Sequence, residues 1–399
     1  MDELAESFFR RESAHLVAAL VRLLGPSRVA LAEDVVQDAL VSVMHAWQLG
    51  MPDDPKAWIL RVAKNRAIDV LRRERFHARD ADAIDDALAP EADADNQLSV
   101  MFAICDDALA PETQVTLILR LLCGLSPREI ARAFLVEVGT IDRRLHRGRA
   151  RLAELGDALE VRESDARARQ GSVEQALYLV FNEGYHGSDE NTPIHPAMCA
   201  EALRLVELML GVDAIDRASC HALAALFCLH AARLGTRLDG DGVIVPLADQ
   251  DRSRWDAKLV GRGIAHLGQS AGGERMTRWH LEAGIALEHA RAASVAETDW
   301  PKILAYYDAL IALAPSPVLA MNRALVLAET EGLSAGRDAL IALEHDPKLE
   351  RYSFYWAARA DVERRIGGNA SALYRRAITL AESRAERASY ERRVRQIAS

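Results

Sequence analysis

An all-α chain is what these 399 residues predict, and three observations carry that reading. Ala, Leu and Arg dominate while only 6% of residues are aromatic, which favours helices over the β-branched and aromatic content of a sandwich or barrel. Apolar residues recur at helical spacing along most of the chain. Strand-like alternation is confined to RLDGDGVIVPL, Arg237 to Leu247, which reads as a hairpin or extended loop. The chain is 50% hydrophobic and 27% charged, with 23 Gly and 13 Pro. That is apolar mass enough for two to four domains, and it excludes collagen-like, fibrous and wholly disordered classes.

The N-terminal MDELAESFFRRES is acidic first and lacks the apolar core of a secretory signal. Ala32 to Trp47 places Val36, Leu40, Val43 and Trp47 on one helical stripe. Pro52 and Pro55 break the chain, and a second helix begins near Lys56. Ile59, Val62, Ala63, Arg66 and Val70 mark its inner stripe, and Arg61, Lys64, Arg72, Arg73 and Arg75 its exposed side. Trp47 and Trp58 read first as core, with a platform for an unstacked base as the second reading.

Charge is distributed in blocks. Trp58 to Arg79 holds seven Lys/Arg against two acids, Asp80 to Glu112 ten acids and no base, and Arg128 to Arg151 seven arginines against three acids. The acidic run DADAIDDALAPEADADN reads as a solvated linker, or more sharply as a nucleic-acid mimic shielding a basic face. The whole chain carries a formal charge of -10, so indiscriminate coating of nucleic acid is not expected of it.

The sharpest local signal is LLCGLSPREIARAFLVEVGTIDRRLHRGRARL, Leu121 to Leu152. Ser126, Pro127 and Glu129 form an N-cap, an N1 proline and an N3 acid, a capping box that opens a helix. Ile130, Ala131 and Phe134 supply its inner face, Leu135 and Val136 a short turn, and Ile141, Leu145 and Leu152 the inner face of a second helix. Thr140, Arg143, Arg144, His146 and Arg147 occupy the other face. Two short helices, a tight turn and an arginine-rich outer face make a helix-turn-helix suited to a DNA major groove. Those arginines can fork onto guanine or onto phosphate; a solvated basic face that touches nothing is the bland alternative.

Beyond residue 165, Glu183, His186, His195 and Cys199 lie close in sequence but match no zinc spacing. A structural role comes first for them, with Gly184 as a helix C-cap; a small-ligand or metal pocket comes second. Asp249, Asp251, Arg252, Arg254 and Trp255 in DQDRSRW read first as a buried salt-bridge network and second as a peptide- or polymerase-binding surface. DALIAL recurs at Asp308 to Leu313 and Asp338 to Leu343, and RRAITL follows at Arg375 to Leu380, periods of 30 to 37 that bracket the tetratricopeptide length. The five cysteines form no CxxC pair and read as buried free thiols. The charge-free run Ala218 to Ala232 is too short for a bilayer, which needs roughly 20 apolar residues, and reads as a core helix. Without a phosphate-binding loop, nucleophile elbow or metal motif the chain is not expected to be an enzyme, and no cofactor is expected.

AEDVVQDALVSVMHAW followed by PDDPKAWILRVAKNRAIDVLRR resembles region 2 of bacterial sigma-70-type initiation factors, and LSPREIARAFLVEVGTIDRRLHRGRARL resembles their region 4. The pair in that order, covering residues 1 to about 155, is similar to the extracytoplasmic-function subfamily. YLVFNEGYHGSDENTPIHPAMCAEALRLVELM and VPLADQDRSRWDAKLV resemble the extension of members with a C-terminal tetratricopeptide-like domain, although GERMTRWHLEAGIALEHA departs from the Gly-Pro-Tyr-Gln-Leu-Gln type of sequence there. The implied layout is region 2 over residues 1–78, an acidic linker over 79–100, region 4 over 101–160, a helical extension over 170–290 and repeats over 291–399.

The resemblance implies that Asp34, Gln37 and Asp38 face core RNA polymerase. It implies that Asn65–Arg73 and the Pro52–Lys56 loop capture the -10 element, with Lys56, Arg61, Lys64, Asn65, Asp69, Arg72 and Arg73 as contacts. Thr140, Arg143, Arg144 and Arg147 would read the -35 element. The partners implied are core RNA polymerase and promoter DNA, in the cytoplasm and away from membranes. A protein or small ligand is the candidate partner of the extension, with Asn182, Glu183, His186, His195, Asp249, Asp251, Arg252, Arg254 and Trp255 as its contacts. The alternatives are a stand-alone helix-turn-helix regulator and a helical-repeat scaffold.

Overall fold

A computed structural model describes residues 3–47, 54–73, 93–154, 163–187, 192–212 and 215–398. Among them every regular element is helical, and the contacts divide the chain into two compact units, Met1–Val180 with Arg204–Asp216, and Phe181–Leu203 with Arg217–Ser399.

The first unit is organised around α1 (Glu3–Leu24), whose Leu16, Val17, Ala18, Leu20 and Val21 are buried. Against it pack α2 (Val29–Trp47), α3 (Pro55–Arg73), α4 (Asp93–Ala103) and α5 (Pro111–Leu121). The inner stripe of α2 is Ala32, Val35, Val36, Ala39 and Val43, with Leu40 half-buried. In α3 the buried residues are Ile59, Ala63 and Ala67, one turn apart. This corrects the expected stripe: Arg66 faces solvent and Val62 is only half-buried. Residues 93–100, which fall in the expected acidic linker, are the first turns of α4, where Leu98 and Val100 are buried and Gln97 Nε2 donates to the Leu122 carbonyl at 2.7 Å. The rest of that acidic run and the Pro52 loop lie outside the described residues. The unit continues through α6 (Pro127–Ala133), α7 (Val138–Glu154) and the start of α8 (Glu163–Tyr185).

In the second unit, α8 and α9 (Pro196–Met209) each contribute a part, followed by α10 (Arg217–Ala231), α11 (Ala257–Ser270) and α12 (Arg278–Arg291). The α10 helix is buried from Cys220 through Leu229 apart from His221, so this apolar run is spent on the unit's own core. Between α10 and α11 the expected hairpin is a single antiparallel bridge, Leu238 with Ile244, closed by Asp239 N–H donating to the Val243 carbonyl at 3.0 Å. Then follow α13 (Trp300–Leu313), α14 (Pro317–Thr330), α15 (Leu333–Ile341), α16 (Ser353–Ile366), α17 (Ser371–Leu380) and α18 (Arg384–Ala398), each packed on the next.

Three apolar clusters succeed one another along this stack, around Ile303 and Leu310, around Leu340 and Tyr355, and around Tyr374 and Ala377. The sequence repeat fits them, for its third position is buried each time: Leu310, Leu340 and Ala377. At Gly336 a Cβ would lie 2.9 Å from the Ala324 carbonyl oxygen, so α14 and α15 approach backbone to backbone.

Candidate nucleic-acid and polymerase interface

Local sequence builds the helix-turn-helix. Ser126 Oγ accepts from Glu129 N–H at 3.2 Å, and Glu129 Oε2 accepts from Ser126 N–H at 2.6 Å, the expected capping box. Arg10 of α1 adds an ion pair to Glu129 Oε1 at 2.8 Å. Burial pushes the Glu129 carboxyl up, but Arg10 and the bonds from Ser126 together hold it below the usual carboxylate value. α6 then ends with Val136 N–H donating to the Ala131 carbonyl and Leu135 N–H to that of Arg132, a Schellman closure with Leu135 left-handed at φ 52°. Glycine usually holds that position; here a leucine does, and the turn fixes where α7 leaves.

Ile130, Ala131, Ile141, Leu145 and Leu152 are buried, as their spacing predicts, while Phe134 is half-buried. Gly148 joins the inner face, where a Cβ would lie 2.8 Å from the Leu117 side chain. On the outer face Arg143, His146 and Arg147 are exposed. Arg143 Nη2 donates to Thr140 Oγ1 at 3.2 Å. Arg144 departs from the expected set: it is half-buried, with its guanidinium 4.8 Å over the Phe134 ring and one η-nitrogen buried. Arg149 turns inward, its Nε and Nη2 each donating at 3.0 Å to the Glu33 carboxylate of α2.

On α3, Arg61, Asn65 and Asp69 recur every fourth residue on the exposed side, Arg66 beside them, with Lys64 half-buried. The side chains of Lys56, Arg72, Arg73 and Trp47 lie outside the described residues; Trp58 is half-buried. On α2, Asp34, Gln37 and Asp38 are all exposed, and the same face continues into Val41, 53% exposed, and Met44, 45% exposed. Exposed apolar side chains in line with polar ones suit a protein surface better than a nucleic acid.

The second unit rearranges the remaining candidates. Gly184 is not a cap but lies inside α8, where a Cβ would sit 2.9 Å from Cys199 Sγ and from the His195 carbonyl. Glu183 is buried, and Asn182 and His195 are half-buried. No His, Cys, Asp or Glu group among the described residues forms a metal-holding cluster. All five cysteines are free thiols, and burial pushes Cys105 and Cys199 up to about 12, which keeps them protonated and inert.

DQDRSRW is not a buried salt-bridge network. Asp249, Asp251 and Arg254 are exposed: Asp249 pairs with Arg393, and Asp251 caps its own turn through Ser253. Arg252 Nη1 donates to the His289 and Ala292 carbonyls and to Thr298 Oγ1, none of them an acid.

Trp255 and His186 instead join a group that sequence spacing did not reveal: Tyr185, His230, Arg233, Arg237 and His289. Arg237 lies 3.8 Å over the Tyr185 ring and donates toward His186 Nδ1 at 3.1 Å, and Arg233 lies 5.3 Å from the Trp255 ring. Burial, aided by nearby Arg233, pushes His230 and His289 down to about 3. Arg233 is itself lowered by burial, and Arg237 and Arg252 add to that effect. The available signal was the spacing His230, Arg233, Arg237 at and just beyond the end of the charge-free run Ala218 to Ala232, at i, i+3 and i+7.

Family models match three stretches of the chain. Sigma-70 region 2 matches residues 8–77, sigma-70 region 4 matches 107–152, and a family of unknown function, DUF6596, matches 169–271. An uncharacterized protein of Rhizobium meliloti (strain 1021) is 34% identical over 375 residues, 90% of this chain and 88% of that protein. The ECF RNA polymerase sigma factor SigE of Mycolicibacterium smegmatis is 29% identical over 130 residues, 31% of this chain and 51% of that protein. The RNA polymerase sigma factor CarQ of Myxococcus xanthus is 29% identical over 163 residues, 39% of this chain and 91% of that protein. No solved structure matches. The chain belongs to the extracytoplasmic-function family of sigma-70-type factors, carrying a helical C-terminal extension. It is a bacterial transcription initiation factor and not an enzyme, a protein of core RNA polymerase and promoter DNA.

Proposed function

We propose that the exposed faces of α7, α3 and α2 divide promoter recognition among them. Arg143 and Arg147, with Thr140, take the -35 element in the major groove, and Arg144 holds the helix against Phe134 while lending its charge to phosphate. Arg61, Asn65, Arg66 and Asp69, together with Lys64, Lys56, Arg72 and Arg73, take the melted -10 strand. Asp34, Gln37 and Asp38, joined by Val41 and Met44, meet the polymerase. The observation that carries this reading is the capped and Schellman-closed turn that presents Arg143 and Arg147 to solvent.

Energetics require the polymerase. Opening four base-pair steps costs about 6 kcal/mol at about 1.4 kcal/mol per step. One or two captured bases return only about 1–3 kcal/mol each. The free factor therefore opens no duplex, and its formal charge of -10 keeps stray phosphate attraction weak. The protein works in the cytoplasm, where chromosome and polymerase meet, and its extension regulates that work by taking a protein or small-ligand partner.

Run-off transcription with core polymerase tests the division. The full chain is expected to direct initiation, and the Arg143→Ala, Arg147→Ala double variant to lose it while still associating with polymerase. Promoter-specific binding by the chain alone would point to a stand-alone regulator, and undiminished initiation by the double variant to a scaffold.

A further inference from the structure

The second unit gathers positive charge that no negative charge among the described residues answers. Arg233 donates through Nε to Gln250 Oε1 at 3.2 Å and forms no ion pair among those residues. Arg237, 5% exposed, meets the imidazole of His186, and its Nε has no acceptor there. Buried guanidinium groups are ordinarily matched with carboxylates, because an unanswered charge in a low-dielectric site is costly.

Around these two cations lie further polar atoms without a partner among the described residues: the Tyr185 hydroxyl, Trp255 Nε1, and Nδ1 of His230 and of His289. Tyr185 is 4% and Trp255 7% exposed, so these are interior groups. Hydroxyl, indole N–H and guanidinium N–H all donate, and a neutral imidazole can. Arg233, His230 and His289 are half-buried as whole residues, while Nδ1 of each histidine is buried. Arg252 shows the contrast: three oxygens of the chain saturate one of its nitrogens, the pattern of a purely structural arginine.

We propose that this cluster is a binding site for a small oxyanion, a carboxylate- or phosphate-bearing metabolite held by Arg233 and Arg237 with the donors of Tyr185, Trp255 and His289. Contact of the Arg237 guanidinium with the Tyr185 ring at 3.8 Å, and of Arg233 with the Trp255 ring at 5.3 Å, restrains both side chains before the ligand arrives, which lowers the ordering cost of binding. The neutral imidazoles add donors without adding repulsion. That the ligand governs transcription rests on the regulatory role proposed for the extension; the binding itself does not.

The test titrates the full-length protein with inorganic phosphate and, separately, with citrate, each against sodium chloride at matched ionic strength, read by calorimetry and by thermal unfolding. Saturable binding of either probe is expected, with a rise in unfolding temperature that follows ligand concentration. Response to phosphate alone assigns a phosphate ligand, and response to citrate alone a carboxylate. Arg233→Gln and Arg237→Gln are each expected to weaken binding about tenfold or more, because a charge-assisted bond is lost. Tyr185→Phe keeps the ring under Arg237 and removes only the hydroxyl, with an expected loss of about threefold to tenfold. It decides the matter if an arginine variant fails to fold. A wild-type response to both probes no larger than to chloride, or equal binding by wild type and the variants, overturns the proposal. Run-off transcription with the bound probe is read independently: unchanged initiation with binding intact removes the regulatory role and leaves the site.

Discussion

The outer face of α7 and the cluster around Arg237 are both built from arginine, yet the protein treats the two sets oppositely. Arg143 and Arg147 stand in water on a helix whose buried side is fixed by Ile141, Leu145 and Leu152. Their charge costs little while idle, and it is available to an extended polyanion. Arg233 and Arg237 lie against aromatic rings within the second unit, where an unmatched charge is costly. Exposure suits a partner that brings its own surface. Enclosure suits one small enough to enter.

Five changes break or sharpen this contrast. Arg143→Ala with Arg147→Ala is expected to have the largest effect, about 2–6 kcal/mol of promoter affinity if each contact reads a base. It should leave the unfolding temperature unchanged; a matching loss of stability would mean that α7 needs those side chains to fold. Arg237→Met is expected to act in the other direction, stabilising the chain by about 1–3 kcal/mol in buffer free of phosphate and carboxylates. A fall in the denaturation midpoint would show that the cation is structural and would erase the contrast.

Ser126→Ala comes next, at about 1 kcal/mol from loss of the cap. Its partner Glu129 adds a pH dependence. Because the folded-state carboxyl is held below its ordinary value, its ionisation stabilises the first unit above the ordinary carboxylate range. That contribution disappears as pH falls through the lowered value. Glu129→Gln should accordingly be less stable than wild type near neutrality, and denaturant titrations should show the gap closing in acid. Glu33→Gln should have the smallest effect, at most about 1 kcal/mol, since it weakens one partly exposed pair. Polymerase pull-down by that variant should be at least as strong as by wild type.

What could be read from the sequence was local. Ser126, Pro127 and Glu129 act within one helical turn, so their pattern announces the capping box without knowledge of the rest. The repeated DALIAL likewise announces a helix whose third residue is buried. Errors arose where packing, rather than spacing, decides a side. Arg66 fits a helical stripe drawn through Val62 and Val70, but α3 turns Ala63 and Ala67 inward. Gly184 resembles a helix end because glycine so often caps one, whereas here it admits α9 at close range. The arginine cluster was out of reach because Tyr185, Arg237, Trp255 and His289 come from separate segments that only the fold assembles.

The bidentate contact from Arg149 to Glu33 carries a geometric consequence. It ties the second helix of the helix-turn-helix to α2, while Arg10 and Glu129 add a tie from α1. The Arg149–Glu33 pair is partly exposed and so contributes at most about 1 kcal/mol, which means the two helices can be parted there without unfolding either of them.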